Sequence, residues 1–472
     1  MNPPDAPPIT RSQGTRAPAA WTRRRMLERS GAGLLLPALL GRGFIPANAL
    51  GQQSSGAGTD GAEGPIVVVV QLGGGNDSLN TLVPYQRGQS AIYYEARPSL
   101  AIPPQAVLPL DGVAHYGLHP ALIAMRELWA RGEMAVVEGV GYHSPDLSHF
   151  SSMDYWHSAE PNRQVRDGWL GRFFQHRCAG GDTCPLSGLD LGGAGSLAFH
   201  SGDPAGRLAI GSARDFGWRP AGSPPDAKDF EGLVRRLNGL GGGVRRFRGS
   251  RGVAFHHVRR SIQNAFQSAD GVRRALDHAP GSGGTTTFPK TAFPDTTLGQ
   301  RFLDIATLIH GRLPVSVYYV DQGGYDTHAG QVSAGGQDGP LTGRHADLLS
   351  ELDQALGAFA AEMKAQGHWR RILVFTFSEF GRKVAQNGSF GTDHGAAQSI
   401  LTFGGSVRRG LYGQAPSLRA DARIKNDSMA FNTDFRRVYR TVLETWLGAA
   451  PETVLQILPE TAGTTFQPLG FV

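Results

Sequence analysis

The chain has 472 residues, 40% of them hydrophobic and 18% charged. That is enough to bury one large α/β core or two smaller ones, and it argues against disorder. The net charge of +6 is not spread along the chain: residues 1 to 49 hold seven Arg against Asp5 and Glu28, a local +5, so the remainder carries about +1. A basic nucleic-acid footprint is thereby excluded as the organising feature, and nucleic acid is not an expected partner.

In chain order, the N-terminus reads as a targeting segment. Thr22 to Leu27 (TRRRML) follows the twin-arginine pattern, Gly31 to Leu40 is an apolar run too short to span a bilayer, and Ala47-Asn48-Ala49 is an A-x-A cleavage signal. Residues 1 to 49 are expected to be a signal peptide handled by the twin-arginine export machinery, and residues 50 to 64 a flexible Gly/Ser/Ala-rich lead-in. The rest is expected to be one periplasmic or extracellular domain, without a later apolar stretch of about 18 residues to cross a membrane.

Pro65 opens the apolar run IVVVVQL, a strand buried on both faces, which ends in Gly73-Gly74-Gly75-Asn76-Asp77. The glycines allow a sharp turn and deliver Asp77 to the strand's carboxyl edge; ordinary turn chemistry explains the same residues. Ala121 to Trp129 has helical spacing, and Met134 to Gly139 is a second strand. Next comes the His-rich segment GYHSPDLSHFSSMDYWHSAE, in which Ser148 is a candidate N-cap for a helix from His149 to His157. That helix start offers Ser148 as a nucleophile and His149 as its neighbour; the alternative is a capping Ser beside surface histidines. Cys178 and Cys184, the two cysteines of the chain, sit close enough for a small disulfide loop or stand as free thiols.

From about 180 to 297 the chain turns Gly/Pro/Arg-rich and reads as an insertion with short helical pieces at Phe230 to Leu237 and Val253 to Phe266. Its basic run Arg245 to Arg251 reads as a solvated loop. Order returns with a helix over Leu298 to His310 and a strand over Val315 to Val320 that ends in Gly323-Gly324-Tyr325-Asp326-Thr327-His328. His345 to Gly367 is amphipathic. Ile372 to Phe377 is the expected central strand; it releases Ser378, Glu379 and Arg382, then a loop carrying Asp393 and His394. Ser399 to Phe403 is a shorter strand, and Phe435 to Leu447 and Pro451 to Leu458 are closing helices.

Three strand ends thus release Gly-rich loops with an acid each: Asp77, Asp326 and Glu379. Ligands of open α/β sheets sit at the carboxyl ends of strands, and the Asp/Glu/His mixture there is of the kind that binds divalent metal. Arg382 suits an anionic substrate oxygen.

The motifs VVVVQLGGGNDSLNTLVPY, LSHFSSMDYW, GWLGRF, YYVDQGGYDTHAGQ, FTFSEFGRKVAQNGSFGTDHGAA and NTDFRRVYRTVLETWLG resemble the bacterial domain-of-unknown-function 1501 family. More remotely, the chain is similar to the alkaline phosphatase and sulfatase superfamily. That resemblance implies an α/β fold with a mainly parallel central sheet between helices and metals at the strand ends. It implies Asp77, Asp326, His328, Asp393 and His394 as metal residues, for zinc, manganese or calcium, and Ser148 as nucleophile. Glu379 would be a further ligand or base. The reading is an exported metal-dependent hydrolase of small anionic phosphate or sulfate esters or a glycan; the alternative is a non-catalytic envelope binding protein on the same fold. A metal-free serine hydrolase using Ser148 with His149 is a third.

Overall fold

The computed structural model describes residues 64–160, 167–178, 186–192, 195–202, 206–213, 250–278, 289, 291–333, 339–424, 427–458 and 466–472, with side chains from 261 onward in the segment that begins at 250. The expected signal peptide, nearly all of the lead-in, the helical piece at Phe230 to Leu237, the basic run before 250 and Cys184 lie outside them. Cys178 is disulfide-bonded.

The elements follow from two periodicities. In β1 (Ile66–Gly73) every residue from Ile66 to Val70 is buried, as in a strand covered on both faces. Its side chains alternate: Ile66, Val68, Val70 and Leu72 join one apolar cluster, Val67 and Val69 another. The remaining strands of the sheet, in chain order, are β2 (Met134–Gly141), β3 (Gly188–Asp190), β4 (Arg207–Ala209), β5 (Val317–Gly323), β6 (Ile372–Phe377), β7 (Gln398–Phe403), β8 (Gly410–Gly413) and β9 (Thr433–Asp434). They lie in the order β8-β2-β7-β6-β1-β5-β3-β4, with β9 paired to β2. Only β7 runs against the others, pairing antiparallel with β2 and β6; the remaining pairs are parallel.

One face of the sheet is covered by α1 (Ile123–Ala130), α5 (Thr297–His310) and α6 (Arg344–Ala365), whose Met125, Phe302, Ile305, Leu352 and Phe359 enter the first cluster. The other is covered by α2 (His149–Ser158), α3 (Trp169–Arg177), α7 (Arg436–Arg440), the π-helical turn Thr441–Trp446 and α8 (Pro451–Ile457), through Trp156, Trp169, Phe173, Tyr439, Leu443 and Ile457. The fold is therefore α/β, with a mainly parallel sheet between helices. The described residues belong to one unit, Gly56–Phe216 together with Arg245–Val472.

Two expectations need correction. The stretch from 180 to 297 is not wholly accessory, because β3 and β4 extend the central sheet beside β5; strands of three residues are too short to show a period in sequence. The helical piece placed at Val253 to Phe266 belongs to a helix of 29 residues, α4 (Ser250–His278). Among the described residues no helix is long and apolar enough to cross a membrane.

Three buried histidines make acid stability a measurable consequence of this packing. His157 bonds Gln71 Oε1 and Tyr319 Oη at 2.9 and 3.0 Å; His119 and His345 sit with their rings 6.1 Å apart. Burial lowers His157 and His119 to about 3 and His345 to about 4, from an unfolded value of 6.5. The unfolded chain therefore binds protons that the folded chain refuses, and the stability these groups contribute is complete above pH 6.5 and lost as pH falls. Each adds at most about 1.4 kcal/mol per pH unit. The thermal midpoint is expected to fall steeply between pH 6.5 and 5, measured in the presence of a chelator. A flat midpoint over that range would contradict this account.

Candidate metal centre

The carboxyl ends of β1, β5 and β6 lie side by side, because Gly73 pairs with Gly323 and Gln71 with Phe377. Their loops therefore meet at one edge. Gly74 has φ +120, and a Cβ there would overlap the backbone nitrogen of Asp326, so only glycine lets these two loops touch. The Gly74 N–H donates to both oxygens of Glu379 at 2.9 and 3.1 Å, and the Gly75 and Asn76 N–H groups donate to Ser378 Oγ at 3.1 and 3.0 Å. The pair Gly381–Arg382 forms an antiparallel bridge with His394–Gly395, which returns the chain to the same edge. Asn387 Nδ2 donates to His328 O at 2.8 Å and stitches that loop to the one after β5.

Onto this edge α2 delivers His149 at its first residue. Four groups then converge. Asp326 Oδ2 lies 3.3 Å from His149 Nε2, and Asp326 Oδ1 lies 3.2 Å from His394 Nε2 and 3.3 Å from His328 Nε2. His328 Nε2 and His394 Nε2 are 2.9 Å apart. Ligand atoms of His149, Asp326 and His394 all fall within 4.8 Å of one another.

The far nitrogen of each ring decides which atom carries the proton. His394 Nδ1 is 2.8 Å from the carbonyl oxygen of Leu147, which only accepts. His149 Nδ1 is 2.6 Å from Glu379 Oε1 and His328 Nδ1 is 3.2 Å from Asp393 Oδ1, both carboxylates. In the neutral rings all three Nδ1 atoms thus donate, and all three Nε2 lone pairs face inward toward the Asp326 carboxylate. A shared proton would serve one contact of this cluster; a divalent cation would serve every one. Separations of 2.9 to 3.3 Å also suit the purpose, since ligands about 2.0 Å from a tetrahedral zinc are about 3.3 Å from each other. The donor set, three imidazoles and one carboxylate with each imidazole backed by an acceptor, is the carboxylate–histidine arrangement that metal sites use.

Protons compete with a cation for the same atoms, because a charged His149 pairs with both Asp326 and Glu379. Burial pushes Asp326 up, but the hydrogen bonds from Arg382 and His394 and the charges of Arg382 and His149 outweigh it and hold the acid at about 2. The bond to Glu379 raises His149, while burial lowers His394. The Asn387 hydrogen bond, with those of Lys383 and His328, lowers Asp393.

Of the residues singled out in the sequence, Asp326, His328, His394 and His149 meet directly. Asp393 and Glu379 stand behind them as the acceptors of His328 and His149. Asp77 is not brought there. It is 1% exposed, ion-paired with Arg97 at 2.6 Å, bonded by Gln331 and capping the short helix Ser78–Thr81. Arg382 is fully buried and donates to the carbonyls of Gly74, Gly75, Tyr325 and Thr392 and to Asp326, so it clamps the loops instead of facing a substrate. Ser148 is the exposed N-cap of α2 and its hydroxyl makes no capping bond. Both nitrogens of His149 face carboxylates, which leaves neither to activate Ser148 and removes the basis of a metal-free Ser148–His149 pair. Leu147 O, Asn387 and Lys383 escaped the sequence reading; a backbone carbonyl carries no sequence signal at all.

Asp393 is 43% exposed, so replacing it should spare the fold. Asp393→Ala is expected to weaken metal binding about 10- to 100-fold through the loosened His328 ring, as read by competition with a chromophoric chelator. An unchanged affinity would remove Asp393 from the centre.

Among solved structures, Ps i-CgsB aligns at 8% identity over 83% of this chain and 74% of its own, with a TM-score of 0.34. An alkaline phosphatase superfamily protein of Vibrio parahaemolyticus aligns at 11% identity, 75% and 63% coverage and a TM-score of 0.31. The lipoteichoic acid synthase LtaP of Listeria monocytogenes aligns at 8%, 83% and 74%, with 0.33. No curated protein matches the chain. The model of a family described as proteins of unknown function, DUF1501, matches residues 135–435, well over half of the sequence, and the chain belongs to that family.

Proposed function

We propose that this protein is an exported, metal-dependent hydrolase of phosphate or sulfate esters. The observation that carries the reading is the convergence of three imidazole Nε2 lone pairs on the Asp326 carboxylate, each ring held from behind by an acceptor. His149, Asp326, His328 and His394 would hold the cation, and zinc or manganese suits a nitrogen-rich set better than calcium, which prefers oxygen. A divalent ion in such a site polarises an ester oxygen and lowers the pKa of a water or hydroxyl.

The chain's own groups divide the remaining work. Glu379 keeps the His149 proton on Nδ1, and Leu147 O keeps that of His394 on Nδ1, so that neither ring presents a donor inward. Phe380 packs against both rings, with centroids 4.9 and 4.4 Å away, and walls one side of the site from water. Ser148, the exposed N-cap residue next to His149 in the chain, would be the attacking hydroxyl. Arg382 is committed to the loops, and Arg344, the exposed first residue of α6, whose guanidinium lies against Gly324, two residues before Asp326, would be a positive group to meet an anion. A cation at a helix N-terminus opposes the helix dipole, so its place there is not explained by helix stability.

The test is hydrolysis of 4-nitrophenyl phosphate and 4-nitrophenyl sulfate by the protein folded in the cell and loaded with zinc or manganese. Turnover of at least one, lost in His394→Ala, is expected. Stoichiometric metal with turnover of neither would overturn the hydrolase reading and leave a metal-holding binding protein.

A further inference from the structure

A second cleft lies at the amino-terminal edge of the sheet, where α4 and α5 end. It encloses about 540 Å³ and is lined by Arg274, His278, His310 and Arg312 together with glycine and apolar residues; ligand sites span roughly 300 to 1,000 Å³. No carboxylate lines it among the described residues. Because the parallel strand β5 starts here and ends next to Asp326, the cleft is on the order of 20 Å from the metal centre.

The local backbone is fixed for a reason the sequence does not share. α5 closes with Arg312 N–H donating to Ile309 O at 3.0 Å and Leu313 N–H to Leu308 O at 2.9 Å, the paired bonds of a Schellman cap. The residue after the cap must then take the left-handed conformation, which favours glycine. Here it is Arg312, at φ +58. Gly311 lies so close to Ala275 that a Cβ would overlap its carbonyl oxygen, which holds α4 and α5 together at the mouth of the cleft. Strained non-glycine residues concentrate at functional positions.

Beside the cleft, the ring of His368 lies 6.3 Å from that of His310. Burial first, then the positive surroundings of Arg371, His310 and Arg312, hold His368 at about 4. A basic residue at each helix C-terminus would satisfy the two dipoles; the dipoles do not explain why Arg312 keeps a left-handed backbone where glycine would be unstrained.

We propose that this cleft is a binding site for a small multivalent oxyanion, bearing adjacent phosphate or sulfate groups and gripped by Arg312 and Arg274. The proposal does not depend on the metal centre. It is tested by calorimetric titration of inorganic pyrophosphate into the full chain in about 0.15 M salt, which screens diffuse attraction between exposed charges. Binding to the parent protein and equally to Asp326→Ala is expected, weakened at least tenfold in both Arg312→Gly and Arg274→Ala. Arg312→Gly relieves the left-handed residue, so its thermal midpoint is expected to hold or rise, which separates lost binding from lost folding. Binding that disappears in Asp326→Ala and persists in Arg312→Gly would place the anion at the metal centre and overturn the proposal. So would the absence of binding by the parent protein at millimolar pyrophosphate.

Discussion

Asp326→Ala is expected to weaken metal binding about a hundredfold while leaving the protein folded, so that dialysis against a chelator that the parent withstands empties the variant. Asp326 touches all three imidazoles, and it supplies negative charge to the site. If about 10 to 16 kcal/mol of zinc binding is shared among four ligands, one ligand is worth roughly 3 kcal/mol, or about a hundredfold in affinity. Its side chain is 46% exposed, so the fold loses little. Arg382, its buried partner, keeps its four carbonyl acceptors when the carboxylate is gone. The measurement is elemental analysis beside thermal unfolding of the metal-free forms. Parent and variant with equal metal would show that the imidazoles converge for another reason.

Arg97→Ala is expected to have the larger effect on stability. Arg97 and Asp77 are 0% and 1% exposed and 2.6 Å apart, and the same guanidinium donates to Asn80 Oδ1, Val384 O and Lys383 O, each at 2.8 Å. Burial pushes the Asp77 carboxyl up, but Arg97 and Gln331 bring it below its ordinary value. Removing Arg97 strands a buried charge, which costs about 3 to 5 kcal/mol. Since Asp77 is ion-paired and not at the metal centre, Asp77→Asn is expected to lower stability in urea yet keep the metal. Metal lost from Asp77→Asn at unchanged stability would contradict that assignment.

The contrast between Asp77 and Asp326 marks where the sequence stops being legible. Both follow a doubly buried strand and a glycine run, and in one dimension they look alike. What separates them is burial: Asp77 finds Arg97 twenty residues on, while Asp326 stays half open beside three rings drawn from α2, the loop after β5 and the loop after β6. The strands β1 and β6 were readable because unbroken β-branched and aromatic runs have few other uses. The amphipathic α5 and α6 were readable from their spacing. β3 and β4 were not, being short and set among glycines, and the antiparallel direction of β7 has no signature in six residues. Arg382 suggested an anion site by its chemistry, yet the loops' carbonyls and Asp326 engage all three of its nitrogens. Leu147 contributes only its backbone, so the tautomer of His394 could be fixed from the fold alone.

The most direct test of the central claim is X-ray absorption at the zinc or manganese edge on protein isolated with its native metal. The account predicts a first shell of nitrogen and oxygen only, at about 2.0 to 2.2 Å, with the outer-shell scattering of about three imidazoles, and its loss in His394→Ala. A sulfur-containing shell, or protein that carries no metal at all, would contradict it.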